Sequence, residues 1–525
     1  MVVRSTLDEP LEKALGRIRD SFILLERSEG LEIVAADPLA LVGERIVAFL
    51  PAAQLENLGD ETFCADHGLR YPCYAGAMAN GIGSVEIVEA MARAGMLGIF
   101  GAAGLPPAAV ESAIDRLERS LGRSLPYGFN LIHSPAEPAL ESAVVDLYLR
   151  REVDLVEASA YLELTLPLVR YRVSDIHRDR DGEVVAPNRV IAKVSRVEVA
   201  SKFLAPPPAR FLRELVATGA ITEEQAELAT QVPMAEDVTA EADSGGHTDN
   251  QPAIVLLPTM IALRDRLHGQ HGYRRPPRIG AAGGISTPWS AAAALAMGAA
   301  YVVTGSVNQS CVESGTSDAV RRMLAQAQQA DIAMAPAADM FEMGVKVQVL
   351  KRGTMFAMRA AKLFELYRAY ESLTQLPAPE RAQVEKNLFR APLEEIWQQT
   401  RAFFRERDPS QIERAERDPK HQLALVFRWY LGQSSHWANS GEPSRTVDYQ
   451  IWCGPAMAAF NDWVRGSFLE RPENRRVATV ALNILYGAAV LLRSRSLAGQ
   501  GIALPPGVPR LVPLERAQLD ERVLP

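Results

Sequence analysis

Short apolar runs rich in β-branched residues alternate with amphipathic segments of helix length between residues 71 and 309. This alternation predicts repeated βα units whose strands pair in parallel. Eight candidate strands can be counted, which is the number in a TIM barrel, so the pattern predicts the α/β fold class with a (β/α)8 barrel. The candidate strands are residues 71–78, 97–100, 127–132, 155–160, 189–195, 236–243, 278–284 and 301–307.

The segments between these strands carry the start and stop signals of helices. Ser84 precedes an apolar run with helical spacing, and Gly95 follows it, where a left-handed end is sterically easy. In the last predicted βα unit, Thr287 and Pro288 open the helix and Gly298 ends it. These signals support helices between the strands, as a barrel requires.

The pattern divides the chain into three predicted domains. Residues 1–68 are predicted to form a small N-terminal α+β domain, and residues 69–316 the barrel. An extra helical insertion at residues 201–233 separates the fifth and sixth strands, and it is either a lid over the site or a decoration. Residues 317–525 read as almost entirely helical and end in an extended, proline-rich tail.

Composition and charge exclude several classes of function. The net charge of -8 and a pI near 5.7 argue against nucleic acid or an anionic membrane as the main partner, because both need a basic face. The N-terminus lacks the features of a secretion signal, and the apolar stretch VATVALNILYGAAVLL is predicted to be a buried helix. Four scattered cysteines without CxxC, and no HExxH or HxH, predict reduced thiols, a cytoplasmic location and no metal site.

In a TIM barrel the working residues lie at the carboxyl ends of the strands, so these positions are the candidates for chemistry. Glycine-containing loops follow strands seven and eight, and their bare backbone N–H groups predict a phosphate site, although each loop alone would also suit a tight turn. The candidate positions are Gly76, Ala77 and Met78 after strand one, Asn130 in strand three, Lys193 in strand five, Gly245, Gly246 and His247 after strand six, Gly283 and Gly284 after strand seven, and Gly305 and Ser306 after strand eight.

Several motifs at these strand ends resemble one known group of flavoproteins. The stretches GAMANG, GFNLIHSP, IAKVSR, EADSGGHTDN, GAAGGIST and VVTGSVNQSCVESGTSD resemble the flavin-binding barrel of the nitronate monooxygenase and flavin-dependent enoyl reductase superfamily. More narrowly, the chain resembles the trans-acting enoyl reductases of polyunsaturated fatty acid synthases and trans-acyltransferase polyketide synthases. This narrower resemblance extends through MFEMGVKVQVLKRGTMFAMRAAKLFELY and DYQIWCGPAMAAFN.

The resemblance implies bound FMN and assigns it residues in this chain. The phosphate would lie at the loops after strands seven and eight, and the isoalloxazine ring along the end of strand one. Gly245 and Gly246 would let the backbone pass close to the cofactor. The implied FMN-binding set is Gly76, Ala77, Met78, Asn130, Lys193, Gly245, Gly246, Gly283, Gly284, Gly305 and Ser306.

The resemblance also places His247 at the position of the family's active-site histidine. Reduction of an enoyl thioester needs a hydride at Cβ and a proton at Cα, and histidine has the unperturbed pKa for the proton transfer, which ordered water could also perform. Lys193 could stabilise the developing enolate, or it could pair with a carboxylate such as Glu157 or with the flavin. His247 and Lys193 are therefore the candidate catalytic residues.

The function implied is the reduction of the 2,3 double bond of enoyl thioesters bound to an acyl carrier protein, in polyketide or polyunsaturated fatty acid biosynthesis. NADPH would be a transient hydride donor, since no Rossmann fingerprint is present. The alternatives are a nitronate monooxygenase-like flavin oxidase and a non-catalytic scaffold of a megasynthase.

Two expectations concern partners. A basic segment could dock the acidic carrier protein, or it could be a solvated helix face. The apolar C-terminal part is compatible with a homodimer. The residues of the basic segment are Lys346, Lys351, Arg352, Arg359, Lys362 and Arg368.

Overall fold

The computed structural model describes residues 8–28, 30–36, 45–133, 135, 137–246 and 248–524 of the 525-residue chain. Its N-terminal part is a helix followed by a three-stranded antiparallel sheet, in which β1 lies between β2 and β3. A further helix leads into the barrel. These elements are α1 (Asp8–Gly16), β1 (Phe22–Arg27), β2 (Gly30–Ala35), β3 (Ile46–Leu50) and α2 (Glu61–His67).

Eight parallel strands close into a barrel, which confirms the predicted fold class. The first and last strands pair through Val302 and Cys73, and this pairing completes the closure. The barrel strands are β4 (Cys73–Ala75), β5 (Leu97–Phe100), β6 (Gly128–Ile132), β7 (Leu155–Ser159), β10 (Arg189–Val194), β11 (Asp237–Glu241), β12 (Arg278–Ala282) and β13 (Val302–Thr304), whereas β8 (His177–Arg178) and β9 (Val184–Val185) form a separate hairpin.

Helices connect the barrel strands, and their caps follow the sequence signals. The Ser84 hydroxyl accepts the Ile87 N–H at the start of α3, and Thr287 caps α11 in the same way. The helices of this region are α3 (Val85–Arg93), α4 (Pro107–Leu121), α5 (Pro138–Arg150), α6 (Leu166–Val173), α7 (Val197–Leu204), α8 (Ala209–Ala217), α9 (Glu223–Ala229), α10 (Ala253–His271), α11 (Pro288–Ala296) and the single turn α12 (Ser306–Gln309).

The insertion that holds α8 and α9 lies at the face of the barrel opposite the strand carboxyl ends. It connects the end of α7 to the start of β11, both helices contact α6, and the returning chain bonds back to α7 through the Met234 and Ala235 N–H groups. A connection from a helix to the next strand always lies at the amino ends of the strands. Of the two expectations for residues 201–233, the decoration therefore agrees with the structure and the lid does not.

The part of the chain after the barrel is helical, with one exception. β14 and β15 form an antiparallel pair, so the expectation of an almost entirely helical region was wrong at this point. The sequence KVQVL alternates and is rich in β-branched residues, which favours a strand. The elements are α13 (Asp318–Leu324), β14 (Ile332–Pro336), β15 (Lys346–Leu350), α14 (Phe356–Ala369), α15 (Ala378–Val384), α16 (Leu393–Arg407), α17 (Pro409–Arg417), α18 (Pro419–Ser440), α19 (Ala456–Val464), α20 (Val477–Gly499) and α21 (Arg516–Val523).

Helix α20 takes the place of the eighth helix of the barrel. It packs against α11 on one side and α3 on the other, which are the helices after the seventh and first barrel strands. Residues 306–476 therefore form an excursion between the eighth strand and the helix that covers it. We call residues 317–476 the inserted region. The domain boundaries at residues 68 and 316 stay a prediction.

Within the described residues, α20 is also the one helix long and apolar enough to cross a membrane by length and composition. In its most apolar window, 89% is buried inside the protein. This agrees with the prediction of a buried helix. Four described cysteines are free, and all of them are buried.

The amino ends of the strands are closed by α2 and a buried charge network. His67 Nε2 lies 2.8 Å from a carboxylate oxygen of Asp237, and Arg278 donates to Asp237 at 2.7 and 3.0 Å and also to Asp66. Burial alone would raise the pKa of Asp237, but the Arg278 guanidinium holds it below its usual value. This network fills the amino ends of the strands, so the carboxyl ends are the candidate site for a ligand.

The first prediction concerns the fully buried Arg493 on α20, which donates to the backbone carbonyls of Leu15, Arg17 and Asp20. Arg493→Leu should lower the free energy of unfolding by about 3 kcal/mol, because one buried and two partly buried acceptors lose their donor. Arg495→Leu, at an exposed position of the same helix, is the control. Equal losses in the two variants, measured by denaturant unfolding, would contradict the role of Arg493.

Candidate active site

The mouth of the barrel is covered by the inserted region. Asn80, after the first barrel strand, donates to Ser435 of α18 at 3.1 Å, and Glu137, after the third, forms an ion pair with Arg407 of α16 at 2.9 Å. Gln348 of β15 donates to Asp243 and Asn250 in the loop after the sixth strand. The cover therefore touches the rim at three separate loops.

The closest approach joins the loop after the sixth strand to the segment that precedes α19. A Cβ atom on Gly245 would lie 3.2 Å from the Cys453 nitrogen, and one on Gly454 would lie 3.1 Å from the Gly245 nitrogen. The Gly454 N–H also points to the Ser306 hydroxyl at 3.4 Å. Two glycines thus let two backbones meet directly over the mouth. In this structure, the group that lies against Gly245 is the protein backbone of Cys453 and Gly454.

Lys193 lies between two carboxylates inside the mouth. Its Nζ atom is 3.5 Å from Oε1 of Glu157, on the fourth barrel strand, and 3.4 Å from Oε1 of Glu241, on the sixth. Burial alone would lower the pKa of Lys193, but these two carboxylates raise it above its ordinary value. Lys193 is therefore an ammonium at neutral pH, and of the roles left open, pairing with Glu157 is the one that the structure contains.

Glu157 connects Lys193 to the other candidate residues. Its Oε1 atom accepts the Ala77 N–H and the Ser159 hydroxyl, both at 3.3 Å, and its side chain is fully buried. The Asn130 amide donates to the Glu157 carbonyl and to Ser159 at 3.0 Å each. The residues predicted at strands one, three and five are thus brought into one bonded group. Met78 is only partly buried beside it.

Three buried acceptor atoms at the mouth have no donor within the described part of the chain. They are Glu157 Oε2, Asn308 Oδ1 in α12 and Gln348 Oε1. A buried acceptor without a partner costs about 1–3 kcal/mol, so native structures seldom leave several together. The arrangement suits a ligand that carries several O–H or N–H donors.

The loops after the seventh and eighth strands leave open space. Gly283 and Gly284 have φ values of +80° and +78°, a left-handed conformation that favours glycine. No atom lies within 4 Å of a Cβ placed on Gly284 or on Gly305. Backbone amides beside open space can bind an anion. The Ser306 hydroxyl borders this space as well, although it also accepts from Gly454.

His247 lies outside the described residues, so its assignment stays a prediction. The chain on both sides of it is anchored. Gly246 N–H points to the Ser244 hydroxyl at 3.4 Å, and Asp249 accepts two bonds of 2.8 Å from Arg196 and one of 2.8 Å from Ser195. The Arg196 guanidinium lowers the pKa of Asp249. The loop after the sixth strand is therefore clasped to the loop after the fifth.

The basic segment is only partly available for docking. Arg352 pairs with Asp331, Arg359 with Asp448, and Lys362 with Glu380. Lys346, Lys351 and Arg368 are exposed and form no ion pair within the described ranges. No cluster of three or more metal-ligating side chains occurs among the residues that the structure describes.

Sequence reasoning missed Glu241, Gln348 and Gly454. Glu241 ends a strand that is buried throughout; the motif EADSGGHTDN begins with it, but its pairing with Lys193 depends on the neighbouring strand. Gln348 and Gly454 belong to the inserted region, and their proximity to the mouth depends on tertiary contacts. The motif DYQIWCGPAMAAFN, on which the narrower resemblance rests, contains Gly454, so the sequence singled out this segment without showing that it lies at the mouth.

Comparison with protein families gives two matches. The nitronate monooxygenase family matches residues 61–387, and the inserted helical domain of [acyl-carrier-protein] S-malonyltransferase matches residues 370–449. The first match covers more than half of the chain. The second covers α15 to α18, which lie within the inserted region.

The chain is similar to three characterised or solved proteins over most of its length. It is 51% identical over 84% of the chain to a polyunsaturated fatty acid synthase component of Thraustochytrium, and 47% identical over 84% to polyketide biosynthesis protein PksE of Bacillus subtilis. It spans only 30% and 57% of these relatives. The crystal structure of the enoyl reductase domain of MlnA from Bacillus amyloliquefaciens is 41% identical, with a TM-score of 0.81, over 85% of this chain and 100% of that one.

The second prediction concerns Lys193→Met. The variant leaves two buried carboxyl groups close together without a cation, so the folded state should retain a proton that the unfolded state releases. Its stability should fall as pH rises from about 5 to 8, since the folded state then binds more protons. The wild-type ammonium has a raised pKa, so its contribution is lost only at alkaline pH.

The measurement is the melting temperature of both proteins across this pH range. The difference between them should widen as pH rises. Lys202→Met, at an exposed pair with Glu163, is the control and should show no such trend. A constant difference for Lys193→Met would mean that the three charges are not coupled.

Proposed function

Because the chain belongs to the nitronate monooxygenase family, we propose that it is an FMN-dependent enoyl reductase. Its substrates would be 2-enoyl thioesters on an acyl carrier protein, in polyketide or polyunsaturated fatty acid biosynthesis, with NADPH as reductant. The observation that carries the proposal is the similarity to the MlnA enoyl reductase domain, which includes the inserted region as well as the barrel. The polyunsaturated fatty acid and polyketide relatives support the substrate class.

Two features of the barrel mouth fit FMN: its unpaired acceptor atoms and the open space beside its glycine loops. The three buried acceptors without donors suit the hydroxyl groups of a ribityl chain and the N–H of an isoalloxazine ring. The open backbone at Gly284 and Gly305, with the Ser306 hydroxyl, suits a phosphate. Ala77 and Met78 would border the ring, while Gly76, Asn130, Lys193, Gly245, Gly246 and Gly283 complete the implied set.

Bound FMN would supply the hydride that reduces Cβ of the enoyl group. The residues of the chain set the conditions for this step. Lys193 pairs with both Glu157 and Glu241, so its charge is compensated within the protein, and its part in the reaction would be to hold these two carboxylates in place at the mouth. The cover over the mouth, with its contact between Gly245 and Gly454, would limit the access of bulk water to the site.

His247 is proposed as the proton donor to Cα of the substrate. In the sequence it stands between Asp243, which accepts from Gln348, and Asp249, which accepts from Arg196. Imidazole can donate a proton near neutral pH. Ordered water is the alternative donor. The cytoplasmic location and the homodimer stay predictions.

A nitronate monooxygenase-like oxidase is the second candidate, because the matching family is described by that activity. The third prediction separates the two. With NADPH, the wild-type protein should convert a crotonyl carrier protein to the butyryl form, detected by mass spectrometry. It should consume little oxygen with a nitroalkane. Rapid oxygen uptake without butyryl product would favour the oxidase.

The variant His247→Ala tests whether histidine is the proton donor. If histidine donates the proton, the variant should retain FMN and lose about two to four orders of magnitude in kcat, the usual contribution of a general acid. The readout independent of turnover is the flavin absorbance of the purified variant. An unchanged kcat would assign the proton to water.

The fourth prediction tests the phosphate position. Gly305→Val fills the open space without meeting a neighbouring atom at Cβ, so the protein should fold and bind FMN at least about tenfold more weakly. Gly305 is the better site than Gly284, where φ of +78° would strain any other residue. Gly269→Val, on the exposed surface of α10, is the control. Full flavin occupancy in Gly305→Val would place the phosphate elsewhere.

A further inference from the structure

One surface of the inserted region combines exposed apolar and basic side chains. Met355, Met358 and Val447 expose 43%, 60% and 39% of their surface. The Met355 N–H donates to the Val447 carbonyl at 2.7 Å, so α14 and the segment after α18 meet here. Exposed Lys351 is joined to this point by a turn in which its carbonyl accepts the Thr354 N–H.

Arginines surround the same point. Arg359, Arg390 and Arg445 all donate to the carboxylate of Asp448, which is completely buried. Tyr430 donates to it as well, at 2.7 Å. One buried carboxylate therefore accepts hydrogen bonds from three guanidinium groups.

The charge of this surface is positive although the chain carries -8. Two further carboxylates lie near it: Glu442, which is exposed and accepts from Ser444, and Asp331, which pairs with Arg352 next to Lys351. We name the surface the docking patch and define it as Lys351, Met355, Met358, Arg359, Arg390 and Val447. The Arg352–Asp331 pair is neutral, and the three cations of the patch together with buried Arg445 exceed the carboxylates of Asp448 and Glu442.

The docking patch is connected to the mouth by a short piece of chain. Six residues separate Val447 from Gly454, whose backbone touches Gly245, so the two points are at most about 25 Å apart. The intervening residues are held by the Gln450 N–H to Ser434 and by the pairing of Val349 with Trp452. A partner on the patch would therefore lie on the same cover that closes the mouth, within about 25 Å of Gly454.

We propose that the docking patch binds the acidic carrier domain that presents the acyl thioester. The inference rests on the proposed function and adds to it the surface that the carrier recognises. The basic groups match the negative charge of such a partner and would speed its encounter. Exposed methionines adapt to different partner surfaces, which suits contact with more than one carrier. Lys351 and Met358 are the residues to change, because the arginines also hold Asp448.

The fifth prediction uses Lys351→Glu and Met358→Glu, with kinetics on two substrates. One is crotonyl thioester on a carrier protein, and the other is crotonyl pantetheine, which lacks the protein. Both variants should raise KM for the carrier-bound substrate by about tenfold or more, equivalent to about 1.4 kcal/mol. Neither should change kcat/KM for the pantetheine substrate.

The matched controls are Met343→Glu and Arg368→Glu. Met343 is also 60% exposed, and its neighbour Gly344 contacts Phe364 near the other end of α14, away from the patch. These controls should leave both substrates unaffected. The KM effect of Lys351→Glu should also shrink as salt is raised, because ions screen the attraction.

Three outcomes are informative in different ways. A KM for the carrier-bound substrate that is unchanged in Lys351→Glu and Met358→Glu overturns the docking patch while leaving the enzyme's function intact. Equal losses on both substrates also overturn it, since the changes then act on the site itself. If the wild-type protein reduces neither thioester, the proposed function fails, and the patch loses its basis with it.

Discussion

The direct contact between the backbones of Gly245 and Gly454 is the constraint on which the geometry of the mouth depends. A side chain on either residue would push the two segments slightly apart, because a Cβ atom there would lie only 3.1–3.2 Å from backbone nitrogen of the facing segment. The contact closes the barrel over the carboxyl ends of the strands and brings the Gly454 N–H to Ser306. It therefore fixes both the roof of the site and one side of the space proposed for the phosphate. The Gly-Gly pair before His247 thus has a structural cause as well as the cofactor role that the resemblance implies.

This contact is possible because of where the chain leaves the barrel. The inserted region begins after the eighth strand, at the mouth, and returns through α20, which covers the barrel between α11 and α3. Its residues are distant in sequence from the strand ends but are held beside them at both ends of the excursion. Beneath it, Lys193 and two glutamates form a charged layer with a formal charge of -1, and several acceptors lack donors among the described residues. The carboxyl ends of the strands thus present polar groups that a donor-rich ligand would complete.

Much of this architecture follows from local patterns. The eight strands were predicted because each is short, apolar and followed by a helix signal, and several observed strands are shorter than predicted at one or both ends. Positions such as Asn130 and Lys193 followed from the rule that strand carboxyl ends meet. What could not be predicted depends on long-range packing. The ion pairs that occupy Arg352, Arg359 and Lys362, the place of α20 as the eighth helix and the approach of Gly454 leave no signal in a local window. The strand β15 was not predicted, because its alternation of apolar and polar residues lies within a long region whose pattern is helical.

The central claim is that the closed mouth holds FMN and passes hydride from NADPH to an enoyl thioester. The most direct measurement is the absorbance spectrum of the purified protein, followed under anaerobic conditions through addition of NADPH and then of a crotonyl carrier protein. The account predicts flavin bands that bleach with NADPH and return with the enoyl substrate. A protein that remains colourless after incubation with FMN, or a reduced flavin that only oxygen reoxidises, would contradict it.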